Sequence, residues 1–151
     1  MTEIRRAALP DVPGLAALEK ACFADPLLED AVARQIADPM RVFLLAEENG
    51  ALSGAADFQF VLDEGYIGNV AVFDSCRRRG VGYALMEALL REAREKKLAF
   101  LTLEVRQSNI PARALYEKCG FSVAGQRKNY YEKPVEDAII MTRFFDRSEW
   151  E

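Results

Sequence analysis

Apolar and polar residues along the chain change period several times, and each change marks an element. In "TEIRRAAL" they alternate loosely, which predicts a first strand. "PDVPGLAALEKACF" follows, with proline and aspartate at its start and Val12, Leu15, Leu18 and Cys22 at helical spacing. "LLEDAVARQIAD" predicts a second, shorter helix that stops before Pro39, because a proline pushes the preceding Asp38 out of the helical region. "RVFLLAEE", "GALSGAADFQFVL" and "EGYIGNVAVF" are apolar or alternating and are separated by the turn signals "NG" and "DEG". They predict an antiparallel meander of three strands.

From Gly80 to about Lys97, Val81, Ala84, Leu85, Ala88 and Leu89 trace one helix face, and Glu87, Arg91, Arg94 and Glu95 fall largely elsewhere. "FLTLEV" reads as a short strand. After the loop "RQSN", "IPARALYEKCG" is a short helix bracketed by Pro111 and Gly120. "FSVAGQRKNYY" and "DAIIMTRFF" supply two last strands. The order of strand, helix, helix, three strands, helix, strand, helix, two strands predicts an α/β fold: a mixed sheet covered by helices. Residues 1–151 show no repeat or linker and read as one domain, a length that suits a single core.

Composition narrows what this fold does. With 50% apolar and 29% charged residues the chain has an ordinary globular balance. Its longest uncharged apolar runs, "VFLLA" and "NVAVF", are far too short to cross a bilayer, and "MTEIRRAALPDVP" lacks a secretory h-region, so a cytoplasmic protein without membrane association is expected. Cys22, Cys76 and Cys119 are widely spaced and no histidine accompanies them, which fits neither a disulfide framework nor a metal site. Without histidine, acid–base chemistry falls to carboxylates, tyrosine, cysteine, lysine or water. A net charge of -4 argues against general nucleic-acid binding.

Candidate chemistry concentrates in "CRRRGVGYALMEALLREAREKK". A helix start carries unpaired N–H groups and partial positive charge, and Gly80 and Gly82 let a loop backbone bend so that such groups converge on an anion. Arg77, Arg78 and Arg79 add charge around them. The stretch fits a phosphate or pyrophosphate cradle, and it equally fits a charged loop that caps a surface helix. It is not a Walker A loop, which needs a lysine followed by a hydroxyl residue, and Leu85 is too large for the last position of a dinucleotide fingerprint.

What remains is R-x-x-G-x-G over Arg77, Gly80 and Gly82, after a strand and before a helix. This resembles the acetyl-CoA pyrophosphate loop of the GNAT N-acetyltransferase superfamily. The resemblance implies that superfamily's single-domain fold, with about seven strands, a splayed parallel pair and about four helices. It further implies acetyl-CoA as co-substrate, held by the loop residues Arg77, Arg78, Arg79, Gly80, Val81, Gly82 and Tyr83 and by the backbone of Val70, Ala71 and Val72. "LTLEVRQSNIPARALYEKCGF" is similar to the superfamily's segment around its catalytic strand and following helix, and "RKNYY" with "EDAIIM" resembles the branch that acetylates the N-terminal alanine of bacterial ribosomal proteins. The closer resemblance covers residues 66–142. "CFADPLLED" and "VFDSCRRRG" depart from the branch's early aromatic pattern and from its proline after the strand, so the acceptor is less well specified than the cofactor.

Acetyl transfer to an amine needs the amine neutral, and an α-amine with a pKa near about 8 is mostly protonated at neutral pH. Glu104, flanked by Leu103 and Val105, points opposite to both and could face a cleft as the base; by itself it better suits a solvated or salt-bridged strand end, since most glutamates lie at the surface. The resemblance implies Glu104 as proton acceptor, Tyr116 as proton donor to the departing CoA thiolate and cofactor contact, Asn109 as another cofactor contact beside its role as helix cap, and the Val72 N–H as oxyanion donor. Tyr130 and Tyr131 are expected to wall the acceptor groove, although adjacent strand residues ordinarily face opposite ways. Cys76 and Cys119 raise the alternative of an acyl-cysteine intermediate, but no histidine is available to activate either, so direct transfer is expected. The acceptor is expected to be a protein or peptide N-terminus, in particular a ribosomal protein. A lysine side chain, a small-molecule amine, or a non-catalytic acetyl-CoA sensor are the alternatives.

Overall fold

A computed structural model describes residues 2–151. Its elements are β1 (Thr2–Arg6), α1 (Val12–Cys22), α2 (Glu29–Ala37), β2 (Arg41–Glu48), β3 (Ala51–Val61), β4 (Glu64–Val72), α3 (Val81–Glu95), β5 (Phe100–Arg106), α4 (Ile110–Lys118), β6 (Ser122–Tyr131) and β7 (Glu136–Phe144). The order agrees with the sequence expectation, and the ends differ by a few residues. β1 stops at Arg6 because Leu9–Asp11 form a 3-10 turn, in which the Asp11 carboxylate accepts the Ala8 N–H at 2.8 Å. Asp38 is extended, as Pro39 requires. The "NG" turn has both Asn49 and Gly50 at positive φ, the geometry that matches strand twist in a two-residue hairpin.

The seven strands form one mixed sheet in the order β1-β2-β3-β4-β5-β7-β6. Every neighbouring pair is antiparallel except β4–β5. That one parallel pair joins only Glu64–Tyr66 to Phe100–Thr102. Beyond it β4 keeps its pairing with β3 to Val72, and β5 keeps its pairing with β7 to Arg106, so the two strands diverge and open a gap.

Two apolar clusters, one on each face, hold this arrangement. α3 buries Leu85, Met86, Leu89 and Leu90 against Val42, Phe58, Leu101 and Met141. α1 and α2 bury Leu15, Leu18 and Val32 against Leu45, Ala55 and Ala71. Each such leucine contributes about 1.5–3 kcal/mol by leaving water. The alternation in β5 decides its role: Leu101, Leu103 and Val105 are buried towards α3, which leaves Thr102, Glu104 and Arg106 on the opposite face. Among the described residues no helix is long and apolar enough to cross a membrane.

Gly54 tests how tightly α3 fits against the strand pair that ends at the gap. A Cβ there would lie 2.7 Å from the carbonyl oxygen of Ala71 and 3.2 Å from Val81. Gly54→Ala should therefore cost about 1–3 kcal/mol of overpacking, read as a lower midpoint in urea unfolding. An unchanged midpoint would contradict the packing.

Candidate active site

The gap is lined on its β4 side by backbone whose direction can be worked out. Phe73 donates its N–H to Ser53 O at 2.9 Å, so Phe73 is turned towards β3. Backbone polar groups alternate sides along a strand. Ala71 therefore also faces β3, while the N–H and C=O groups of Val72 and Val70 face the gap. Of the three residues expected to hold a cofactor by their backbone, Val70 and Val72 present it and Ala71 is packed beneath α1. The Val72 carbonyl accepts from Arg77 Nε at 3.3 Å and from Cys22 Sγ at 3.5 Å.

The loop after β4 leads into α3 with two left-handed residues, Arg78 at φ 65° and Gly80 at φ 80°. Gly80 is the residue immediately before α3, so its conformation turns the free N–H groups of the first helical turn, including those of Val81, Gly82 and Tyr83, towards the loop. A Cβ on Gly80 would meet nothing, so what glycine supplies there is the left-handed φ. Gly82 does something different: its Cβ would lie 3.1 Å from Leu115, so it lets α3 and α4 approach closely. Arg77 pairs with Asp74 at 3.3 Å, Arg79 pairs with Glu48 at 3.4 Å, and Arg78 is exposed. Tyr83 lies on the exposed side of α3 with the Lys118 ammonium 4.5 Å from its ring centre. Asn109 caps α4, its Oδ1 accepting the Ala112 N–H at 3.3 Å.

Glu104, Tyr116, Tyr130 and Tyr131 come together at the other wall. Glu104 is half-buried and its Oε2 lies 2.8 Å from Arg127 Nε. β6 is irregular opposite Asp137, with three residues facing one, and Asn129 at φ 53° is held there by its N–H donating to Asp137 Oδ1 at 2.8 Å. That irregularity cancels the usual alternation, so the rings of Tyr130 and Tyr131 meet edge to face at 5.1 Å. Burial, and then the Glu104 charge, push Tyr131 up to about 12 and also raise Tyr130. Tyr116, 7% exposed, packs beside Phe121, and burial followed by the field of Tyr131 raises its phenol well above the usual value. Its hydroxyl makes no hydrogen bond among the described residues.

Several residues that build this site are not among the candidates named from the sequence. Arg106 ties the β6–β7 hairpin to β5, donating to Glu132 O at 2.8 Å and Pro134 O at 2.9 Å with its guanidinium 4.5 Å from the Tyr131 ring centre. Beside the gap, Asp57 Oδ1 accepts the Asn69 N–H at 3.0 Å, and Arg41 is its counter-ion. The Asn69 side chain donates to Glu19 Oε2 at 2.7 Å, and Glu19 Oε1 accepts the Leu27 N–H at 2.9 Å. Burial raises both Glu19 and Asp57. The available signal was Asp57 itself, the one charge inside the strand "ALSGAADFQFV".

Two of the three cysteines are disfavoured as thiolates. Burial pushes Cys119 up to about 11 and also raises Cys22, and Cys76 sits in the loop beside Ser75. Among the described residues no three His, Cys, Asp or Glu side chains gather as a metal site would need.

The chain and its fold have known counterparts. The acetyltransferase (GNAT) family model matches residues 12–121. A protein of Escherichia coli named ribosomal protein bS18-alanine N-acetyltransferase is 39% identical over 143 residues, which is 93% of this chain and 96% of that protein. The crystal structure of the ribosomal-protein-S18-alanine N-acetyltransferase from Escherichia coli superposes with a TM-score of 0.89 at 37% identity, covering 95% of this chain and 94% of that one. Ard1 from Thermoplasma volcanium superposes at 0.86 with 26% identity, covering 96% and 98%.

The buried Tyr116 phenol should be visible in the pH dependence of stability. A group whose pKa is higher in the folded state contributes stability that is complete below its unfolded pKa, about 10 for tyrosine, and lost as pH rises towards the folded value. Unfolding free energy should fall above about pH 10 and fall less steeply in Tyr116→Phe, measured by urea denaturation. Equal slopes would contradict the burial assigned to the phenol.

Proposed function

The chain belongs to the acetyltransferase (GNAT) family, and we propose that it transfers the acetyl group of acetyl-CoA to the free α-amine of an N-terminal alanine, on the small-subunit ribosomal protein bS18, in the cytoplasm. The observation that carries the reading is the opened β4–β5 pair, whose gap-facing Val70 and Val72 backbone ends at the glycine-led start of α3. The acceptor is the one in the name of the Escherichia coli relative.

The residues present fit acetyl-CoA. The N–H groups of Val81, Gly82 and Tyr83 with Arg77, Arg78 and Arg79 suit its phosphates, as an anion at a helix start requires. The gap-facing backbone of Val70 and Val72 suits its pantetheine amides, with Ala71 between them turned to β3, and Asn109 and Tyr116 border it from α4. Acetyl-CoA, when bound, supplies the activated thioester. Glu104 takes the proton of the incoming ammonium, directly or through water, and the acceptor cation then competes with Arg127 for the same carboxylate. The Val72 N–H donates to the charge that develops on the carbonyl oxygen. Tyr116, held as a neutral phenol by its burial, keeps an O–H to offer the departing sulfur. Tyr130 and Tyr131 wall the acceptor's path from the β6 edge of the sheet. With Cys119 held as a thiol by burial and no histidine in the chain to activate Cys76, the residues support direct transfer over an acyl-cysteine.

Release of free thiol tests the reading. The protein should turn over acetyl-CoA with a peptide beginning in alanine and not with the same peptide blocked at its N-terminus and carrying an internal lysine. Turnover on the blocked peptide would reassign the acceptor to a side-chain amine, and binding without turnover on any amine would make the chain a sensor. Glu104→Gln should lower kcat by about a hundredfold or more, most at low pH, with the acetyl-CoA dissociation constant unchanged. A pH–rate profile the same as wild type would reject Glu104 as the base.

A further inference from the structure

β4 carries one more residue than β3 across from it. Ala56 faces Val70 and Phe58 faces Ile67, so Asp57 alone stands opposite Gly68 and Asn69. This bulge decides which amides reach the gap. Without the extra residue the pairing would run on from Ile67 and set Val70 against Ala55, whose backbone groups point into the β3–β4 ladder. Val70 and Val72 would then turn towards β3 and Ala71 would turn out, since a one-residue slip reverses every direction along a strand.

A bulge leaves a backbone N–H without a ladder partner, and here a side chain takes that place. Asp57 Oδ1 accepts the Asn69 N–H at 3.0 Å. The other oxygen, Oδ2, lies only 2.6 Å from where a Cβ of residue 68 would be, so the carboxylate fits because that residue is glycine. Asp57 is 2% exposed and its charge is met by Arg41. From the far side, Glu19 holds the Asn69 amide and the Leu27 N–H, which ties the bulge to the connection between α1 and α2. None of these side chains reaches into the gap; they act on it through the β4 backbone.

We propose that Asp57 is a positioning residue for acetyl transfer: by fixing the bulge at Gly68 and Asn69 it keeps the Val70 and Val72 N–H groups turned to the gap, the Val72 N–H towards the acetyl carbonyl, and Glu19 secures the same bulge from α1. The proposal rests on the acetyl-CoA reading of the gap. It separates two properties of the site, because the phosphate cradle at α3 stands apart from the bulge while the orientation of the β4 amides depends on it.

The infrared carbonyl band of bound acetyl-CoA, isotopically labelled at the acetyl carbon, reads that orientation without any acceptor present. In the wild-type protein the band should be displaced from its position in free acetyl-CoA. In Asp57→Ala it should return towards the free position and kcat should fall about tenfold or more, as expected for a misdirected oxyanion donor. The dissociation constant of adenosine 3′-phosphate 5′-diphosphate, which carries the phosphates of CoA without its pantetheine arm, should stay within about twofold of wild type, since the cradle's anion contacts are untouched. Asp57→Asn keeps an acceptor oxygen of the same size and should recover the larger part of both band displacement and kcat. A displaced wild-type band that is unchanged in Asp57→Ala, or a loss of affinity for that nucleotide in step with kcat, or equal losses in Asn and Ala, would overturn the proposal alone. A wild-type band at the free position would overturn the reading of the gap and this proposal with it. Should circular dichroism show Asp57→Ala unfolded, Asn69→Ala, which removes only the tie to Glu19, should move the band part of the way at unchanged affinity for adenosine 3′-phosphate 5′-diphosphate. A band left at the wild-type position would then overturn the proposal.

Discussion

The three-residue pairing between β4 and β5 is the constraint on which the rest of the molecule depends. A parallel pair that stays together buries its backbone in a ladder; this one parts after Tyr66 and Thr102, and the polar backbone beyond must face something else. Antiparallel partners hold each strand after the parting, β3 on one side and β7 on the other, so the gap opens without either strand losing its place in the sheet. Apolar packing sets its width from both faces: α3 beneath, and α1 with α2 over the β4 side.

Each wall then supplies different chemistry. The β4 wall offers backbone, with a helix start at its end where an anion is favoured. The β5 wall offers side chains, because alternation sends Glu104 to the face that α3 does not cover and a bulged β6 brings two tyrosines beside it. Tyr116 arrives from α4, whose own position follows from Gly82 allowing Leu115 to approach α3. The carboxylates divide by environment. Glu104 stays half-exposed with Arg127, where an incoming cation can compete, whereas Asp57 and Glu19 are buried, Asp57 between the Asn69 N–H and Arg41, and Glu19 between the Leu27 N–H and the Asn69 amide.

Element order was legible from periodicity because the strands and α3 alternate or repeat cleanly, and the loop before α3 stood out because glycine and arginine leave a local mark. Glu104 and Tyr116 needed a family resemblance: a lone glutamate between two buried strand residues looks the same whether it faces a cleft or water. Two features resisted reading altogether. The alternation rule set Tyr130 and Tyr131 on opposite faces, and only the left-handed Asn129, held by Asp137 from the next strand, brings them together. Likewise the β4 bulge depends on Asp57 and Asn69, twelve residues apart in sequence, and on Glu19 from a helix fifty residues before Asn69. Contacts at that separation leave no periodic trace. What the sequence did show was the anomaly of a charge inside an apolar strand.

The central claim is that the β4 side of the gap and the start of α3 form one continuous acetyl-CoA site. The most direct measurement is a map of backbone amide chemical shifts by nuclear magnetic resonance as acetyl-CoA is added. The account predicts the largest changes at Val70, Val72 and Arg77 to Tyr83, appearing together at one dissociation constant. Changes confined to the groove between β1 and α3, lined by Arg5, Arg6 and Arg91, with the β4 amides unmoved, would contradict it.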